Sequence, residues 1–296
     1  MSGISVVIPT RNAGDGLDEL LGALGRQTVR PDEILVIDSA SEDGTPEIAL
    51  RHSAVRVHRI PREAFNHGGT RDLAFSLTAG DTVVFLTQDA VPASAELLER
   101  LTFPLRKEKN VASYGRQIPK AEASPREKLV RAFNYPPESA EHSLADIAGK
   151  GIRTFFLSDV CAAYRRKEYE ALGGFERDVL TNEDMFFAAK AIRAGYCIAY
   201  AADAAVFHSH DLTLAEQYRR NWLQGYEIER HRSLVGDASS AQAGLQMLRR
   251  VTGGLLRQGR LLSTAGLVLD CGARYLGSRA GSRAYRRTRD GKGEEG

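Results

Sequence analysis

Val83-Val84-Phe85-Leu86-Thr87-Gln88-Asp89-Ala90 is the stretch on which the reading turns. Four apolar residues, two of them β-branched, describe a buried strand. The run then ends on a carboxylate, with Pro92 behind it as a stop signal. A carboxylate there is poorly placed for packing and well placed for a ligand, because open α/β sheets take ligands at the carboxyl ends of their strands.

Working outward toward the N-terminus, Ile4 to Thr10 reads as a first buried strand, and Leu17, Leu20, Leu21 and Leu24 follow at helical spacing with Asp15 as a possible cap. Glu33 to Asp38 is a second strand that also ends on a carboxylate. Ser39 to Gly44 is a small, polar turn into a short helix from about Thr45, with Pro46 at its first position. Val55 to Ile60 alternates as a third strand, Asn66-His67-Gly68-Gly69 is a loop, and a helix runs from about Thr70 to Ala79. Strand and helix alternate throughout, which predicts an α/β fold with a mostly parallel sheet and helices on both faces.

Toward the C-terminus, residues 121–150 read as a helix plus a mobile loop. Thr154 to Leu157 and Val160 to Tyr164 restore order, Met185 to Ala194 is helical, and Cys197 to Tyr200 and Ala205 to Phe207 are two short strands. From about Leu212 the pattern is helical to the end. Between Gly244 and Arg289 ten arginines face one acid, Asp270, with leucines interleaved. That composition fits a helix lying on an anionic membrane surface, or a solvated hairpin packed on the domain.

The bulk numbers narrow the classes. The 296 residues, 43% hydrophobic and 26% charged, suffice for a globular core, and a net charge of +2 carries no nucleic-acid signature. Cys161, Cys197 and Cys271 are far apart, so neither a zinc cage nor a disulfide framework is expected. No signal peptide and no run of eighteen apolar residues is present.

Several polar residues fall where chemistry would need them. Asp38 and Asp89 both end strands, and one strand-end carboxylate beside a bound diphosphate is enough to hold Mg2+ or Mn2+. Two glycines before a helix, with Arg71 close behind, favour an anion, although an ordinary turn would look the same. In Asn182-Glu183-Asp184, capping accounts for one acid and leaves the other as a general base. In His208-Ser209-His210 a neutral imidazole can join Asp89 on a divalent metal. Gln217, Arg220 and Trp222 either bind phosphate and stack on a sugar or pack as an ordinary helix.

Taken together, Val6 to Asn12 and Ile37 to Thr45 resemble the opening of glycosyltransferase family 2, with its GT-A fold. Ala171 to Phe175, Glu183-Asp184 and Ala194 to Tyr196 match that family's second half in order, so the resemblance covers roughly residues 4–225. Phe65 to Arg71 and Thr87 to Ala90 are most similar to the rhamnosyltransferase branch. The resemblance implies a GT-A domain over 1–225, with a Rossmann-like sheet flanked by helices; the arginine and leucine pattern sets 226–296 apart as a basic amphipathic helical region. The resemblance also implies an inverting transferase. Pro9, Thr10, Arg11, Asp38, His67, Gly68, Arg71 and Gln88 would hold the nucleotide sugar, Asp89 and His208 the Mg2+ or Mn2+, and Asp184 beside Glu183 would be the base. The expected donor is dTDP-rhamnose, with UDP-N-acetylglucosamine or UDP-galactose as alternatives. The expected acceptor is lipid-linked or a polysaccharide, and the expected location is cytoplasmic, peripheral at the inner membrane face. A non-catalytic nucleotide-binding membrane scaffold is the competing class. Three departures stand out: Gln88 and Ala90 frame a single acid where the family has Asp-x-Asp, Ile37-Asp38-Ser39 lacks the second Asp common after the second strand, and Gln217 to Trp222 carries one residue more than Gln-x-x-Arg-Trp. Truncation after about Asp237 is expected to leave donor hydrolysis largely intact and to weaken membrane sedimentation.

Overall fold

The computed structural model describes residues 3–236 and 241–291. Its first half runs β1 (Ile4–Thr10), α1 (Asp15–Gly25), β2 (Glu33–Ser39), α2 (Thr45–Leu50), β3 (Val55–Ile60), α3 (His67–Leu77), β4 (Thr82–Leu86), β5 (Val91–Pro92) and α4 (Leu97–Thr102). The middle adds β6 (Asn110–Ile118), α5 (Pro125–Asn134), β7 (Ala140–His142), α6 (Ile147–Lys150), β8 (Cys161–Arg165), α7 (Arg166–Ala171), α8 (Glu183–Arg193) and β9 (Cys197–Phe207). The chain closes with α9 (Leu214–Arg230), α10 (Arg232–Val235), α11 (Ala241–Arg257) and α12 (Leu261–Gly291).

Among the described residues the strands form one sheet in the order β3-β2-β1-β4-β8-β6-β9-β5, with β7 added to β9. The β1, β2, β3 and β4 strands run parallel, β6 and β9 run parallel to each other, and β8 runs against both β4 and β6. Six of these nine strands point the same way, while β8 at the centre and β5 and β7 against β9 are reversed, so the sheet is mixed. Leu86 at the end of β4 pairs with Cys161 at the start of β8. The residues just before β8 thus share a sheet edge with those just after β1, β2 and β4.

Alternation along the strands explains how both faces are covered. Val6, Ile8, Val84 and Leu86 point to one side, against Leu17, Leu20, Leu21 and Leu24 of α1. Val7, Val83 and Phe85 point to the other, against Phe75, Tyr164, Phe175 and Phe187. Period-two strands with two apolar faces are what a sheet buried between helix layers requires.

Three local readings change. The α3 helix begins at His67, not Thr70, because the Asn66 side chain caps it by accepting from the Gly69 amide at 2.6 Å. The stretch read as two strands is one, β9, whose pairing with β6 shifts register between Gly115 and Arg116; the alanine-rich segment there masks its continuity. Residues 121–150 hold α5, β7 and α6 rather than a helix and an open loop, and β6 had no counterpart in the sequence reading.

The C-terminal region is built onto the domain. The α9 helix is continuous through residues 225 and 226, and α12 lies along it with almost no gap. A Cβ at Gly277 would overlap the Tyr218 carbonyl, one at Gly281 that of Trp222, and one at Gly225 the backbone of Ser278. Val251, Leu255 and Leu267 are buried against Val130 of α5. No described helix is long and apolar enough to cross a membrane.

Candidate active site

The first part of the site is a cavity of about 310 Å³ at the C-terminal edge of the sheet. Pro9, Thr10, Arg11, His67, Arg71 and Gln88, six of the expected sugar-nucleotide residues, line it together with Ser39, Arg62, Phe65 and Thr87. Gln88 locks the wall in both directions: its Oε1 accepts from the Arg11 amide at 2.7 Å and its Nε2 donates to the Arg11 carbonyl at 3.2 Å. Asp38 lies fully buried beneath the cavity. It accepts from the Ser41 amide at 3.1 Å and from Thr10 Oγ1 at 3.4 Å, with the Arg59 guanidinium 3.8 Å away. Asn12 and Ala40, just past β1 and β2, hold positive φ angles of 47° and 53°. Such backbone persists only where the surroundings fix it, here through Ser41 Oγ, which accepts from the Asn12 amide at 2.8 Å.

The second part is a cluster of Asp89, His208 and His210, whose ligand atoms all lie within 4.8 Å of one another. His210 Nε2 is 2.9 Å and His208 Nε2 3.5 Å from Asp89 Oδ2. The tautomer of His208 is set from behind. Gln117 donates through Nε2 to Tyr135 and to Ser158, so its Oε1 accepts from His208 Nδ1 at 3.0 Å, and Nε2 keeps its lone pair toward Asp89. Burial, with Arg131 nearby, pushes the His208 pKa down to about 3 despite Asp89, so the ring is neutral. Burial alone would raise Asp89, but the hydrogen bond from His210 and the two imidazoles hold it well below the usual carboxylate range. One carboxylate oxygen and two imidazole nitrogens form a donor set that fits a divalent ion taking both O and N ligands. His210, which the sequence offered only as a neighbour of His208, belongs to this set.

The third part is acidic. Arg71 is buried and pairs with two carboxylates: its Nε is 3.0 Å from Asp159 Oδ2 and its Nη1 3.1 Å from Glu183 Oε1. Two of its nitrogens are thus paired inside the protein, while the side chain also lines the cavity. The glycines beside it have a packing role, since Gly68 lies against the Glu176 carbonyl with no room for a side chain. Tyr164 donates its hydroxyl to Asp159 Oδ1. Asp184, at the start of α8, is only partly buried and accepts from the Asp159 amide at 3.2 Å and the Met185 amide at 2.7 Å. Burial, reinforced by the neighbouring charge of Glu183, raises its pKa to about 7. A carboxylate poised there can take a proton near neutrality and release it again. Asp159 escaped the sequence reading because it precedes its strand, and only the reversal of β8 brings it to the functional edge.

Beyond these, Arg220 on α9 is exposed and feels the charges of Asp184 and Arg131. Gln217 is buried, and Trp222 stacks on Tyr226 at 5.5 Å beneath α12, so the packing reading holds for that ring. A second cavity, lined in part by Tyr114, His142, Arg153 and Tyr200, shares no residue with the first.

A nucleotide-sized cavity, a metal-competent cluster and a poised acid on one edge of a GT-A sheet define a glycosyltransferase. The chain belongs to glycosyltransferase family 2, whose model, "Glycosyl transferase family 2", matches residues 5–173. It is 43% identical over 218 residues to the O-antigen chain rhamnosyltransferase RfbN of Salmonella typhimurium, covering 73% of this chain and 69% of that protein. It is 44% identical over 223 residues to the O-antigen chain rhamnosyltransferase WbaN of Salmonella anatum, covering 74% and 70%. The fold is shared with the mannosyltransferase PcManGT from Pyrobaculum calidifontis in complex with GDP-Man and Mn2+, at a TM-score of 0.63 and 19% identity over 96% of this chain and 84% of that one. It is also shared with S. aureus TarS 1-349 in complex with UDP-GlcNAc, at a TM-score of 0.55 and 18% identity over 97% and 92%.

Proposed function

We propose that this glycosyltransferase is an inverting rhamnosyltransferase. It takes dTDP-rhamnose and adds the sugar to a lipid-linked or polysaccharide acceptor at the inner face of the cell membrane, in cell-surface glycan synthesis. The observation that carries the reading is the meeting of the donor cavity, the Asp89 cluster and Asp184 at one sheet edge, in a chain 43% identical to an O-antigen rhamnosyltransferase.

The nucleotide occupies the cavity between Thr10, Arg11 and Gln88, with Asp38 supporting its floor through Thr10. Asp89, His208 and His210 would hold the metal, Mn2+ fitting two imidazoles better than Mg2+. When bound it neutralises charge on the diphosphate oxygens. Asp184 accepts the proton of the acceptor hydroxyl as that oxygen attacks the anomeric carbon. The bond from that carbon to the diphosphate oxygen breaks on the opposite face, and its electron pair leaves with the nucleoside diphosphate. Asp184 then returns its proton to solvent. Arg71 acts one step back: its pairs with Asp159 and Glu183 keep the acids beside Asp184 in place.

The test is incubation with dTDP-rhamnose, UDP-N-acetylglucosamine or UDP-galactose and Mn2+, with nucleotide diphosphate release followed in each. Release from dTDP-rhamnose alone or foremost is expected. Release from none of them, with or without membranes, would sink the enzyme reading, and preference for a UDP sugar would move the donor assignment.

A further inference from the structure

We propose that the outer face of the α11–α12 hairpin docks on an anionic phospholipid surface, and that its rigid seat on α9 turns the mouth of the catalytic cleft toward that surface. The proposal deepens the reading of a membrane-delivered acceptor and rests on it.

The inner face of the hairpin is satisfied. Leu255 and Leu267 are buried against α5, and Asp270, also buried, pairs with Arg274 at 2.7 Å and lies 3.9 Å from Arg126. The outer face is not. Leu261, Leu262, Val268, Leu269, Tyr275 and Leu276 are exposed, Leu262 at 91%. Their spacing puts them on one side of α12. Arg279, Arg283 and Arg287 continue the same side at i+4 steps and are exposed, and Arg257 and Arg260 flank the turn. Arg279 lies 5.9 Å over the Tyr275 ring, so cation and aromatic belong to one surface. Asp270 is the only acid between Leu261 and Arg289, and it points inward. Leucines flanked by Arg279, Arg283 and Arg287, which pair with no acid among the described residues, match the acyl boundary and headgroups of an anionic bilayer. A second copy of the same face would bring arginines against arginines.

The orientation follows from how α12 is seated. Gly277 lies on Tyr218, Gly281 on Trp222, and Arg286 Nε pairs with Glu229 at 2.8 Å. The contacts advance in the same direction on both helices, so α12 and α9 are parallel. The first ten or so residues of α12 therefore run about 15 Å beyond the start of α9, at about 1.5 Å per residue. That end of α9 follows directly on His208 and His210. A second link agrees: Asp270 reaches Arg126 near the start of α5, where the Ser124 amide donates at 2.9 Å to Asp211, the neighbour of His210. The exposed leucines thus stand at the cleft end of the molecule.

The experiment uses the full chain and its Leu261→Glu/Leu262→Glu variant, which changes only exposed side chains. Each is sedimented with vesicles of phosphatidylcholine alone or with about 30% phosphatidylglycerol. The wild type is expected to bind the anionic vesicles preferentially, and the variant to lose at least tenfold in bound fraction. Circular dichroism and nucleotide diphosphate release from free donor should be unchanged in the variant. Transfer to an acceptor embedded in vesicles should fall with binding, while transfer to a short-chain, water-soluble acceptor is retained. Equal vesicle binding by both proteins would overturn the docking face. So would a concentration-dependent dimer of the wild type, abolished in the variant, with no vesicle binding. Lost binding with unchanged transfer to the embedded acceptor would overturn the orientation. Absence of donor turnover in the wild type, with vesicle binding intact, would count against the proposed reaction alone.

Discussion

Asp184 carries the residue-scale argument because its surroundings set its protonation. With its pKa raised to about 7 by burial and Glu183, the active, ionised form grows as pH rises. Turnover should climb about tenfold per pH unit below that value and level off above it. A profile of kcat that falls between pH 6 and 8 would contradict the assignment. At the metal cluster, Gln117 acts through His208: Gln117→Leu frees the ring to flip and should weaken Mn2+ binding by about 10–100-fold, read by titration calorimetry. Arg71 is a stability matter. Arg71→Met leaves Asp159 and Glu183 buried without their cation, at a loss of about 3–5 kcal/mol. Burial already holds the Asp159 carboxyl well above its usual range, and loss of the Arg71 cation raises it further, so the loss in denaturant melts should be larger at pH 8 than at pH 5.

At the scale of elements, the closeness of α9 and α12 makes a sharp test. Replacing Gly281 by Leu puts a side chain into the Trp222 carbonyl. Overpacking should lower stability by about 1–3 kcal/mol or more, whereas Gly272→Ala on the open part of α12 should be tolerated; equal melting temperatures for both would mean the helices do not touch this way. The same scale shows what the sequence could disclose. Strands β1, β2 and β4 were legible because each is an uninterrupted apolar run ending on a polar residue. The polar turns after them, with Asp38 and Asp89, followed from these runs, and Asp184 from the acidic pair ahead of its helix. Three things were hidden. The β8 strand is reversed, which no local pattern records, and so Asp159 was overlooked. The packing of Gly68 against the Glu176 carbonyl, far away in sequence, has no local signal. The pairing of Arg71 was hidden because nothing near it in the chain announces Asp159 or Glu183.

For the molecule as a whole, the tail is better regarded as a fixed part of the protein than as a removable appendage. Cutting near Asp237, which lies outside the described residues, would strip α12 from Trp222 and Tyr226 and uncover Val130 on α5. Exposed-residue variants are thus the cleaner probes of membrane binding. Family 2 membership was readable from the motifs alone. Through the resemblance the donor, metal and base residues were expected in one crevice, whereas the place of Asp159 beside them depends on sheet order.

The most direct check on that shared crevice is a paired measurement on wild type and Asp184→Asn with dTDP-rhamnose and Mn2+: dTDP affinity by calorimetry and sugar transfer by nucleotide diphosphate release. Undiminished dTDP affinity with turnover reduced by at least about 100-fold is expected; wild-type turnover in the variant would contradict Asp184 as the base of this site.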